Sequence, residues 1–193
     1  MMARAKPHGF TLIELLLALA VLALLLLIGM PSFTTFMRNS EVRSTAESIV
    51  NGLKTASAEA ANRNTRVAFT LAGDGDSGWA INVVKDPVTK ELEQPPIQAY
   101  SKKEAGRNTK VALTPGNQLQ VTFTGLGRVD NQGMPNDHVQ QIDIGPIVSG
   151  EARSLRIIVD DPNPADPAKP RGLRMCDPDP ALSALTPPDP RAC

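Results

Sequence analysis

The fold is decided by residues 10–30, FTLIELLLALAVLALLLLIGM, in which Thr11 and Glu14 are the only polar side chains. As a helix with a rise of about 1.5 Å per residue, this stretch is about 30 Å long, which matches the hydrocarbon core of a bilayer. Leu, Ala and Met dominate it, and all three are strong helix formers. The sequence therefore predicts a transmembrane helix over residues 10–30.

The residues in front of this helix, 1–9, form a short basic segment with Arg4 and Lys6. Basic residues before a first span predict that the N-terminus stays in the cytoplasm, with the rest of the chain in the periplasm or outside. A cleaved signal peptide fits poorly, because the apolar stretch is too long and no small-x-small cleavage site follows it. On hydropathy alone, an uncleaved signal anchor is the plain alternative.

Two details point beyond a simple anchor: Gly9-Phe10 at the start of the apolar run, and the acid Glu14 within it. A carboxylate in hydrocarbon costs about 2.5–3.5 kcal/mol on insertion scales, so it rarely persists there without a function. Residues 9–15, GFTLIEL, resemble the processing site of type IV prepilins and type II secretion pseudopilins. The resemblance implies that a prepilin peptidase cuts after Gly9 and methylates Phe10, so that residues 1–9 are a leader peptide.

Glu14 has a physical use in such a protein. Cleavage leaves a positively charged amine on Phe10, and in a fibre this amine can lie beside the Glu14 carboxylate of a neighbouring subunit. Two charges that are costly in isolation then form a pair. We infer a role in selecting subunits and setting their axial register. The alternative is that Glu14 only reaches the headgroup region, since it lies near one end of the span.

Residues 31–64 are predicted to continue the helix in amphipathic form, because apolar or small residues recur at helical spacing. These residues are Phe33, Phe36, Ala46, Ile49, Val50, Leu53, Ala56 and Ala60. Glu59 and Arg63 have the spacing of an i,i+4 ion pair. Pro31 is expected to kink or loosen the helix, as a proline at the matching place does in the pilin family, or simply to mark the membrane boundary.

Residues 65–160 are predicted to form a β-rich periplasmic domain. Apolar and polar residues alternate on both sides of a turn at 73–78, which predicts a hairpin over residues 66–84. Further strands are predicted at Ile97–Tyr100, Lys110–Leu113, Leu119–Thr124, Gln141–Ile144 and Ser154–Asp160. The predicted fold class is α+β and pilin-like: a long N-terminal helix, half transmembrane and half amphipathic, packed on an antiparallel β-sheet that buries the Ala46–Ala60 stripe.

Four segments of this domain carry a second resemblance, to the GspH/FimT/FimU group of minor pilins and minor pseudopilins. They are Gly78–Ile81, Val121–Arg128, Leu155–Val159 and Gly172–Cys176. The resemblance implies a structural subunit near the fibre tip that primes assembly in a bacterial inner membrane and then enters the fibre. Its implied partners are other major and minor pilins or pseudopilins, the prepilin peptidase and the inner-membrane assembly platform.

Residues 161–193 are predicted to be a proline-rich tail, since nine of the seventeen prolines lie in residues 160–193. Cys176 and Cys193 are the only cysteines, and an oxidising periplasm favours a disulfide between them. Free thiols or an intermolecular bond are the alternatives. Within the group, pilus members often end in two cysteines, which favours a type IV pilus minor pilin over the alternative, a GspH-like minor pseudopilin of type II secretion.

Nothing in the sequence predicts an enzyme, a cofactor or a metal site. The leader removes His8 and leaves His138, which lies in a polar stretch and is expected to be solvated. Two thiols without a nearby histidine are a poor zinc ligand set, and the acids within Gly73–Gly78 lack the loop length of an EF-hand. No hydrolase, metalloprotease or P-loop motif is present.

A further alternative is a DNA receptor for uptake carried on a pilus. Some FimT-like pilins bind DNA through arginines near the C-terminus, and here Arg153, Arg156, Arg171 and Arg174 lie close in sequence. Basic side chains neutralise phosphates. However, aspartates surround these arginines, the chain has 20 basic and 20 acidic residues overall, and the region has no aromatic residue for base stacking.

Overall fold

The computed structural model describes residues 9–73, 75–102, 108–130, 138–148, 152–159, 172–185, 187 and 189–193, without the side chains of residues 28 and 31. It divides into two compact units, Met1–Met37 and Arg38–Cys193. In chain order the elements are α1 (Leu12–Arg63), β1 (Val67–Leu71), β2 (Trp79–Asp86), β3 (Glu91–Leu92), β4 (Gln98–Tyr100), β5 (Thr109–Thr114), β6 (Gln120–Phe123), β7 (Gln141–Pro146), β8 (Leu155–Ile158), β9 (Arg174–Cys176) and α2 (Pro180–Ser183).

The first unit contains the apolar part of α1. Among the described residues, no single helix meets the length and hydropathy criteria for a membrane span. Two pieces of α1 on either side of residues 28–31, Leu12–Leu27 and Ser32–Arg63, meet them together, by length and composition alone. The kink predicted at Pro31 stays a prediction.

The second unit, called the head below, buries one stripe of α1. Ala46, Ile49, Leu53, Ala56 and Ala60 have no exposed surface, which confirms the predicted stripe. The burial begins only at Val42, and Phe33 and Phe36, near the start of the predicted amphipathic segment, are 64% and 67% exposed. The predicted ion pair between Glu59 and Arg63 is present at 2.7 Å.

The described strands form two antiparallel sheets, where the sequence predicted one. The first has the order β3-β2-β1-β6, with β4 also paired to β2, and the second has the order β5-β7-β8-β9. Apolar residues of both sheets and of α1 belong to one hydrophobic core. Because both sheets contribute to the same core, their alternating apolar residues look in the sequence like those of one sheet. The α+β class, a long helix packed on antiparallel strands, is confirmed.

Most predicted strands are present within a few residues of their predicted bounds, and the hairpin of β1 and β2 is present in the register Phe69↔Ile81. Two short edge strands, β3 and β9, were not predicted. Strand β9 pairs with β8 in the register Ile157↔Met175, so three residues of the predicted tail complete the second sheet. The predicted domain boundary after residue 160 therefore separates two strands that belong together.

Gly52 sets how closely α1 approaches the first sheet. A Cβ at this position would lie 2.7 Å from Cε2 of Phe69 and 3.2 Å from ring carbons of Trp79. These rings are fixed: their centroids are 5.5 Å apart, and Trp79 Nε1 donates a hydrogen bond to Ser48 Oγ at 3.1 Å. A side chain at Gly52 would therefore separate the helix from the sheet.

The loop after β6, Gly125-Leu126-Gly127-Arg128, packs on the C-terminal end of α1. The hydroxyl of Ser57 donates to the Gly127 carbonyl at 2.7 Å, and a Cβ at Gly125 would lie 2.9 Å from backbone and side-chain atoms of Asn64. Gly127 has a φ of +71°, which disfavours other residues. This segment, one of those on which the GspH/FimT/FimU resemblance rests, therefore has a packing role.

We predict that Gly52→Val lowers the free energy of unfolding of a head fragment starting at Arg38 by about 1–3 kcal/mol. Valine adds a clash with Phe69, and its low helix propensity offers little compensation. Denaturant unfolding measures the change. Gly73→Val is the control, since a Cβ at Gly73 meets nothing within 4 Å. Equal stability of the two variants would contradict the close approach at Gly52.

Candidate functional site

The predicted processing site lies directly before α1. Gly9 and Phe10 precede the helix and are exposed, and the Phe10 side chain is 86% exposed. The backbone N–H of Glu14 donates to Thr11 Oγ1 at 3.3 Å, and the N–H of Thr11 donates to Glu14 Oε2 at 3.5 Å. This reciprocal arrangement is a capping box, in which Thr11 is the N-cap and Glu14 the third helical residue. The T-x-x-E spacing of residues 11–14 would have predicted it.

The capping box gives Glu14 a place at the start of the helix. A carboxylate is favoured at a helix N-terminus, where the backbone N–H groups carry partial positive charge. The contact with Thr11 is long, and the Glu14 side chain is exposed. The second carboxylate oxygen is therefore free to accept a hydrogen bond from an ammonium group of another molecule.

The helix surface around Glu14 is apolar on all sides. From Phe10 to Met30, the large apolar side chains that the structure describes are 50–86% exposed. A surface of this kind is stable only against lipid or against other apolar helices. The arrangement therefore offers one acceptor of positive charge within a surface suited to helix packing.

Cys176 and Cys193 form a disulfide, with Cα atoms 5.2 Å apart, and there is no free cysteine. This is the intramolecular pairing that the sequence predicted. The N–H of Asp177 donates to the Arg191 carbonyl at 2.7 Å, and the N–H of Cys193 donates to the Asp177 carbonyl at 3.1 Å. The last residues of the chain are therefore fixed to the end of β9.

The described members of the arginine set predicted to bind DNA do not form one free cationic surface. Arg156 donates two hydrogen bonds to the carboxylate of Asp143, at 2.7 and 3.1 Å, and this contact raises the pKa of Arg156. Arg153 is exposed just before β8, Arg174 is partly exposed on β9, and Arg171 lies outside the described residues. The charge of Arg156 is thus balanced within the second sheet.

His138 is buried, with 6% of its surface exposed, and the prediction that it is solvated is wrong. The residues next to it are held between two strands: Val139 N–H donates to Gln120 O, and Gln140 N–H donates to Thr114 O. These two backbone hydrogen bonds keep the polar stretch around His138 buried within the head. Within the described residues, no group of three His, Cys, Asp or Glu side chains is placed to hold a metal ion.

Two family models match the chain. One is described as the prokaryotic N-terminal methylation motif and matches residues 4–30, and the other is described as type II transport protein GspH and matches residues 45–162. No curated protein matches. Among solved structures, the chain is similar to the crystal structure of the type IV minor pilin FimU of Pseudomonas aeruginosa (strain PAO1). That match has 20% identity, covers 64% of this chain and 86% of that chain, and has a TM-score of 0.45.

The two matched ranges include the start of α1 and most of the head, but not the C-terminal residues. The first contains Gly9, Phe10 and Glu14, and the second begins at Thr45, within the buried part of α1. Residues 163–193, which carry β9 and the disulfide, lie outside both ranges.

We predict that Cys193→Ser lowers the free energy of unfolding of the head fragment by about 3 kcal/mol. The unfolded chain loses a cross-link between two residues that are 17 positions apart in the sequence. Denaturant unfolding without reductant measures the difference. Adding reductant should reduce the unaltered fragment to the stability of the variant and leave the variant unchanged. An unaltered fragment that is insensitive to reductant would contradict the prediction.

We also predict that Arg191→Gln raises the pKa of Asp189 toward its ordinary value of 3.8. The Arg191 guanidinium, and then its backbone N–H, hydrogen bond to the Asp189 carboxylate and lower its pKa to about 2. Because the folded pKa is the lower one, the stabilisation is present above about pH 4 and is lost as the pH falls toward 2.

Carboxyl NMR titration of the head fragment measures this pKa. Asp86 is the internal control, since its pKa is lowered mainly by the N–H of Val88 and should not change in the variant. A midpoint for Asp189 that is the same with and without the Arg191 guanidinium would show that another group lowers it.

Proposed function

Because the chain belongs to the GspH family, whose model matches residues 45–162, we propose that it is a structural minor pilin of a type IV pilus. Minor pilin or pseudopilin function is the general activity of this family, whose members are structural, non-enzymatic subunits. The finer proposal is that a prepilin peptidase cleaves the chain after Gly9 and that the mature subunit enters the fibre and primes its assembly.

One observation carries this proposal: the start of α1 combines a processing motif, an exposed apolar surface and a single carboxylate. The methylation-motif match covers residues 4–30, which include all three. A lipid anchor alone needs the apolar surface but has no use for Glu14, which makes insertion more costly. A helix that packs against other subunits has a use for it.

The proposed chemistry of assembly is an ion pair between subunits. Cleavage after Gly9 creates an ammonium group on Phe10, one residue before the N-cap Thr11. In apolar surroundings this ammonium and the Glu14 carboxylate of a neighbour satisfy each other, whereas either alone is costly. The weak contact from Thr11 N–H, at 3.5 Å, leaves the carboxylate able to accept the stronger, charge-assisted bond.

The same reasoning gives the proposed location and partners. Before assembly the helix lies in the bacterial inner membrane in a single pass, with the N-terminus in the cytoplasm and the head in the periplasm. Its partners are the prepilin peptidase, the inner-membrane assembly platform, and the major and minor pilins of the fibre.

A second candidate is a minor pseudopilin of a type II secretion system, favoured by the description of the matching family model, type II transport protein GspH. Both machines would use the same N-terminal chemistry. Deleting the gene separates them: loss of surface pili with normal secretion supports the pilus, and loss of secretion with normal pili supports the pseudopilus.

We predict that Glu14→Ala is still cleaved after Gly9 but enters fibres at least about tenfold less than the unaltered chain. The substitution leaves an ammonium group without a partner in apolar surroundings, at a cost of several kcal/mol, and each 1.4 kcal/mol is a factor of ten. Immunoblots of sheared fibres and of membranes, normalised to the cleaved chain, measure the incorporation.

The matched control is Glu91→Ala, which removes an exposed carboxylate from an ion pair with Lys85 in the head. This variant should be incorporated like the unaltered chain. Normal incorporation of a cleaved Glu14→Ala subunit would rule out the proposed ion pair.

A further inference from the structure

A groove on the head joins three basic side chains to an apolar floor. It has a volume of about 640 Å³ and lies between α1, the start of β8, β9 and the C-terminal residues. Arg43, Arg153 and Arg191 stand at its rim. The floor includes Val42, Leu155 and Met175, of which Met175 is 40% exposed. We call it the arginine groove.

The rim arginines are available to a partner. The Arg43 and Arg191 side chains are 73% and 64% exposed, and within the described part of the chain each forms an ion pair with an acid of its own segment, Glu47 at 2.8 Å and Asp189 at 2.7 Å. Both side chains therefore keep most of their surface open to solvent despite these pairs. Arg153 is exposed, and it lies near enough to Asp189 to help lower that group's pKa. A negatively charged partner can therefore recruit all three.

The groove is built before any partner arrives. On one side, the backbone N–H of Arg153 donates to Asn39 Oδ1 at 2.8 Å and ties this segment to α1. On the other, the Cys176–Cys193 disulfide and the bond from Asp177 N–H to Arg191 O hold the C-terminal wall. A preformed groove loses less entropy when a segment binds to it.

The chemistry of the groove favours a polypeptide over DNA. Its lining has no aromatic side chain on which bases could stack. An apolar floor below a basic rim instead matches a peptide that carries both acidic and apolar side chains. In a fibre, the polypeptides that surround the head are other pilin subunits.

We propose that the arginine groove binds an acidic, partly apolar segment of a neighbouring pilin subunit, an inference that rests on the function proposed above. The disulfide then has a task besides stabilisation, because it holds Arg191 at the rim of an intersubunit contact. Arg153, considered above as a DNA ligand, becomes a ligand for carboxylates.

The experiment places a photoreactive benzoyl-phenylalanine at position 175 of the full chain in cells that assemble the fibre. After irradiation, mass spectrometry identifies the cross-linked peptide. We expect an acidic segment of another pilin. The double variant Arg153→Glu, Arg191→Glu should lower the cross-link yield at least tenfold. Arg128→Glu, which reverses an exposed charge outside the groove, should change the yield less than twofold.

A charge swap separates recognition from damage to the head. Changing the acids of the cross-linked segment to lysine should restore the yield to the double variant, which a merely unfolded head would not allow. Retention of the Cys176–Cys193 disulfide, seen on non-reducing gels, reports the fold independently.

The contrary outcomes are distinct. Cross-links only to DNA or lipid, cross-links to no pilin, or equal loss in the Arg128→Glu control would overturn the proposal. Cleavage after Gly9 is scored in the same samples. Cleaved, fibre-borne chains without the cross-link count against the groove alone, whereas chains that are never cleaved count against the proposed function and the groove with it.

Discussion

The long helix α1 must suit two different surroundings along one continuous backbone, and the rest of the structure depends on this constraint. Its first part exposes apolar side chains on every face, while its second part, from Val42, buries a single stripe against two sheets. Three residues of the stripe, Ala46, Ala56 and Ala60, are alanines, and Gly52 has no side chain at all. Small residues let the sheets approach the helix, so the head gains a core although only 4% of the chain is aromatic.

The remaining features of the head follow from the need to close this core around one helix. The glycine-containing loop after β6 packs on the last turns of α1, and the disulfide fixes the C-terminus beside its first turns in the head. The arginine groove lies between these C-terminal residues, α1 and the second sheet.

How far the sequence predicts this structure depends on the length of each signal. The 21-residue stretch 10–30 has only two polar side chains, and the buried stripe recurs at helical spacing. Both signals are long, and the sequence predicted a helix at both. β3 and β9, of two and three residues, are too short to show a period, and β9 is held in place by pairing and by the disulfide rather than by its composition. The prediction that His138 is solvated was wrong because its burial comes from backbone hydrogen bonds of the next two residues to strands that are distant in the sequence. The groove could not be predicted, since its arginines come from residues 43, 153 and 191.

Mass spectrometry of the intact protein purified from its own filaments tests most directly whether the mature chain begins at Phe10 in the assembled state. The expected mass is that of residues 10–193, with one methyl group on the N-terminal amine and both thiols oxidised. A chain that keeps residues 1–9 and never appears in filaments would contradict this, and the protein would then be a head tethered to a membrane by a plain apolar helix.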